Sequence, residues 1–243
     1  MKNSLRSLLA TALVALSLSA FNVVAHAQAG VLAQDAALSD DVQTQVAAAV
    51  AAGDTAALQI LVVNNPSMAA TIANTVATAA LASVQGTPSS STVNTAVALA
   101  QFAANVSSAT VNTAGASTSS VTLAAGAASI AAQVAATPVV MSTAPAAAAA
   151  LATTTIQIAS APVVIAAAPA VSAAIAVSVN TVATNADVIA AAPTVVATIA
   201  AAVTLVVTNP DVVAAAPTIV ALIPTTNQQP TLTDVNSAAG PGE

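Results

Sequence analysis

From residue 138 onward the apolar positions recur in two registers at once. Within a stretch they follow helical spacing. Val171, Ile175, Val179 and Val182, and likewise Val195, Ile199, Val203 and Val206, lie four, four and three residues apart, which puts each set on one stripe of a helix. Between stretches they return every 24 residues, as Val140, Val164, Val188 and Val212, as Met141, Ile165, Ile189 and Val213, and as Leu151, Ile175, Ile199 and Ile223. Prolines keep the same beat at Pro145, Pro169, Pro193 and Pro217, and a column seven residues earlier holds Pro138, Pro162, Ala186 and Pro210. A fixed period of this length marks stacked units that bury their apolar faces on one another.

Each unit predicts a short helix or single 3₁₀-like turn followed by a helix of about four turns. Asn185 is placed to cap a helix start, with Asp187 in the first turn where a carboxylate suits the helix dipole. Pro210 suits the first helical position, and Pro217 would break that helix if it continued, so it begins a second one. Asn209-Pro210 therefore ends one unit and opens the next, with Ile219 and Ile223 expected to face the unit beyond. Projecting the period back six times from Pro210 reaches Pro66, in "NNPSMAATIANTVATAALA", where Asn65-Pro66 matches Asn209-Pro210 and Met68 falls in the valine column. That count gives seven units within 66–224, clear over 138–224 and degenerate before, residues 90–137 keeping the composition and largely losing the signature.

Alanine is abundant, so helices can approach closely, and each alanine buries little area at about 25 cal/mol per Å². Stability is then expected to come from many neighbour interfaces. A β-solenoid is the competing architecture, since "TTTIQIAS" and "AIAVSVNTV" alternate locally. The alanine content and a total of seven glycines favour the all-α solenoid.

Over 138–224 the period, the Asn-Pro step and the aliphatic columns resemble the leucine-rich-variant repeat, whose units alternate an α-helix with a 3₁₀ turn in a solenoid. The likeness departs where that family carries charged residues and a second proline close behind the first. It implies an architecture and no activity.

The flanks read differently. Lys2 and Arg6, the apolar "LLATALVALSLSA" and the small residues of "AHAQA" form the pattern of a bacterial secretory signal peptide over 1–27, with an apolar run too short for a comfortable membrane span. Residues 28–65 form an N-terminal helical capping region, in which "LSDDVQTQVAAAVAAGD" reads as a helix started by Ser39 or Asp40 and closed by Gly53. Residues 225–243 are polar, with Pro and Gly, and read as a frayed tail.

Removing the leader changes the chemistry on offer. Beyond residue 27 the chain has no Lys, Arg, His, Cys, Trp or Tyr, and its one aromatic, Phe102, is most simply a core residue. No disulfide can form, so stability outside the cell must come from packing. Eight carboxylates remain, at Asp35, Asp40, Asp41, Asp54, Asp187, Asp211, Asp234 and Glu243. Nucleic-acid binding lacks its basic footprint. Serine and threonine lack a base to activate them, so no catalytic, cofactor-binding or metal-site residue is assigned and the chain is read as non-enzymatic. Asp35, Ser39, Asp40 and Asp41 hold oxygen ligands of the kind Ca²⁺ takes, without the spacing of a known loop, and capping accounts for them. Asp187 and Asp211 share one repeat position and are expected to stack along one edge.

The expectation is an exported structural or interaction solenoid of the envelope or matrix, associating with itself or with another protein of that layer. A surface-binding role toward ice, polysaccharide or another cell is the alternative, weakened because Thr194 and Thr218 share their column with Ala146 and Ala170. Membrane insertion is disfavoured, since helices of about 15 residues span only about 22 Å.

Overall fold

The computed structural model describes residues 38–223; the leader assigned to 1–27 and the tail assigned to 225–243 lie outside the described residues. Among the described residues the chain is all α, with no strand, so the alternating stretches "TTTIQIAS" and "AIAVSVNTV" lie in helices. In chain order the elements are α1 (Asp40–Ala52), α2 (Thr55–Asn64), a 3₁₀ turn (Pro66–Met68), α3 (Ala69–Ser83), α4 (Ser90–Val111) and α5 (Thr118–Ala135). Then come α6 (Pro138–Thr143), α7 (Pro145–Ala159), α8 (Pro162–Ala167), α9 (Pro169–Ala183), α10 (Ala186–Ala191), α11 (Pro193–Val207), α12 (Pro210–Ala215) and α13 (Pro217–Val220).

The two proline columns make this alternation. Pro145, Pro169 and Pro193 each stand at the start of a 15-residue helix, and Pro217 at the start of the four-residue α13, where the missing N–H has no intrahelical acceptor to lose. The alanine before it is pushed out of the α region by the pyrrolidine ring: Ala168, Ala192 and Ala216 sit at φ −150, −148 and −145° with ψ 55–58°. The six-residue helix before each break closes by giving its last N–H to a column valine, as from Ala168 to the carbonyl of Val164 at 2.7 Å. Val140, Val164, Val188 and Val212 are all fully buried, so one residue both closes the short helix and fills the core.

Where the second proline is absent, the break is absent too. The repeat equivalents of Pro145 are Val121 and Val97, and α5 and α4 run through them as single helices of 18 and 22 residues. The expectation of helices near 15 residues throughout is corrected here. The frame nevertheless persists: helices end at Val111, Ala135, Ala159, Ala183 and Val207, each 24 residues after the last. Asn65 also differs from its supposed match. Asn209 caps a helix through its side chain, whereas the Asn65 amide donates back to the Leu61 carbonyl at 2.9 Å and a 3₁₀ turn follows.

Packing joins each long helix to the next and to the next but one. α3, α4 and α5 pack mutually; α9 packs on α5 and α7; α11 packs on α7 and α9. The helices thus make two layers, and the spatial repeat is two units, not one. Ile219 is half-buried on a helix that packs back on α9, and any unit beyond it lies outside the described residues. The short elements over 138–215 are α-helices, where the leucine-rich-variant resemblance implies 3₁₀ turns.

At the N-terminal end, α1 and α2 pack as a hairpin closed by Gly53 at φ 66°, and a Cβ there would meet Thr95 at 2.9 Å. Val42, Val46, Leu58 and Leu61 fill the hairpin's inner side.

Candidate interaction surfaces

The carboxylates are distributed as helix-end residues. Asn185 Oδ1 accepts the N–H groups of Asp187 and Val188 at 3.0 and 3.2 Å, and Asn209 Oδ1 accepts those of Asp211 and Val212 at 3.0 and 3.4 Å. Each asparagine satisfies donors that a helix start leaves free, and each aspartate sits exposed in the first turn. Asp54 does the same work at α2, accepting from Ala56 and Ala57 at 3.0 Å. Its place directly after Gly53 was the available signal for that cap, and the expectation that one helix simply ended there missed it.

Asp187 and Asp211 do not stack. α10 packs on α6 and α7, α12 packs on α8 and α9, and the whole of α11, about 22 Å long, lies between the two aspartates in the chain. An acidic stripe needs units that superpose every 24 residues; here they superpose every second unit. Asp40 and Asp41 occupy the exposed first turn of α1, and Ser39 is its N-cap residue with no side-chain hydrogen bond, so the cap assigned to it is not made. Asp35 lies outside the described residues, among which no group of three metal-ligating side chains comes together.

Phe102 is buried in α4, as expected of a core residue. Two buried hydroxyls turn inward on their own helix: Ser107 donates to the Ala103 carbonyl at 2.8 Å and Thr155 to that of Leu151 at 3.1 Å. Ser172 differs, fully buried in α9 with no partner for its oxygen.

An open groove of about 590 Å³ runs between α2, the 3₁₀ turn and the α4–α5 junction, with Val62, Val63, Pro66, Val106 and Ala109 among its lining. Amides and hydroxyls are its polar groups, so it offers surface for contact and no acid or base. Among the described residues one helix, α5, is long and apolar enough to cross a membrane, and 67% of that stretch is buried against other helices. The bent pair Thr55–Asn64 and Pro66–Ser83 meets the same test only as a span broken by 113°.

The fold therefore defines a class: an all-α, two-layered array of short and long helices, whose exposed side chains are mostly Ala, Thr, Ser, Asn or Gln, with prolines, a few aspartates and scattered aliphatic residues such as Ile60, Val63 and Leu205 among them. No family model matches the chain, and no curated protein and no solved structure matches it either.

Proposed function

We propose that this chain is an exported, non-enzymatic structural or protein-interaction repeat protein of the bacterial envelope or extracellular matrix. The observation that carries this reading is the persistence of the 24-residue frame in the helix ends from Val111 to Val207, across sequence that has lost its signature. An array kept in register while its surface stays chemically plain suits a part whose work is to stack and to present an extended face. Such a face, with no charge from Thr55 to Ala186, has little electrostatic means of keeping neighbours apart. The pattern of residues 1–27 supports export.

Fractionation of the cell that makes the protein, with mass determination of the recovered chain, tests the reading. The expected result is a chain shortened by the leader, in the periplasmic, surface or extracellular fraction. An intact leader on a cytoplasmic chain would overturn it.

A further inference from the structure

We draw no further inference here: the strongest candidate, the open groove of about 590 Å³ between α2, the 3₁₀ turn and the α4–α5 junction with the exposed Val63 at its edge, is an unpartnered apolar face, and nothing in the structure shows what covers it.

Discussion

At the residue scale, the column valines and the capping asparagines account for most of the local order. Val164 is buried while its carbonyl takes the N–H of Ala168, and Asn185 spends its side-chain oxygen on two helix-start amides. Ser172 breaks this economy, because its buried oxygen finds no partner where the preceding units place Ala124 and Ala148. Ser172→Ala is therefore expected to stabilise the chain, by about 1 kcal/mol, since an orphaned buried hydroxyl costs about that much. Denaturant unfolding measures it, and a clear loss of stability would show that the hydroxyl has an unrecognised role.

At the element scale, the second proline column decides whether a unit is one helix or two. Val97 holds the position of Pro145 in a helix that runs unbroken from Ser90 to Val111. Val97→Pro should cost about 3 kcal/mol or more, because α4 is packed as a single rod and loses a hydrogen bond inside it. A substitution tolerated with unchanged melting would mean that the unit still accommodates the break. Gly126 offers the opposite case. It lies within α5 without positive φ, and an added Cβ would meet only Asn74 Oδ1, at 3.9 Å. Gly126→Ala is expected to raise stability by about 0.5–1 kcal/mol in the same measurement. Short and long helices were legible over 138–207 because proline acts on its own neighbours, whereas after Pro217 the expected four-turn helix is cut to four residues. The unbroken α4 and α5 were hidden because the period was read as a unit content, when only its boundaries survive there.

At the scale of the whole molecule, packing between next-but-one helices makes stability uneven. Each of α5 and α9 is packed on both sides, whereas α12 and α13 are the last of the described helices and α13 has no fully buried residue. Amide hydrogen exchange should therefore be slowest in α5 and α9 and fastest in α12 and α13, a gradient that a one-unit stack of equal interfaces would not produce. Uniform protection from α5 to α13 would contradict the two-layer account.

The sequence by itself determined the helical class, the 24-residue beat, the breaks at Pro145, Pro169, Pro193 and Pro217, and the burial of the column Val140, Val164, Val188 and Val212, though not that of Val213, which is exposed. These follow from forces that act within a few residues: proline's missing N–H, asparagine's capping oxygen and the spacing of aliphatic side chains. Only the tertiary structure decided that units pair two apart and that Asp187 and Asp211 are separated. Those depend on how 15-residue rods settle into layers, and nearly equal columns of Val and Ala allow either neighbour to be the partner. Burial can be read from a stripe; the identity of what buries it belongs to the assembled array.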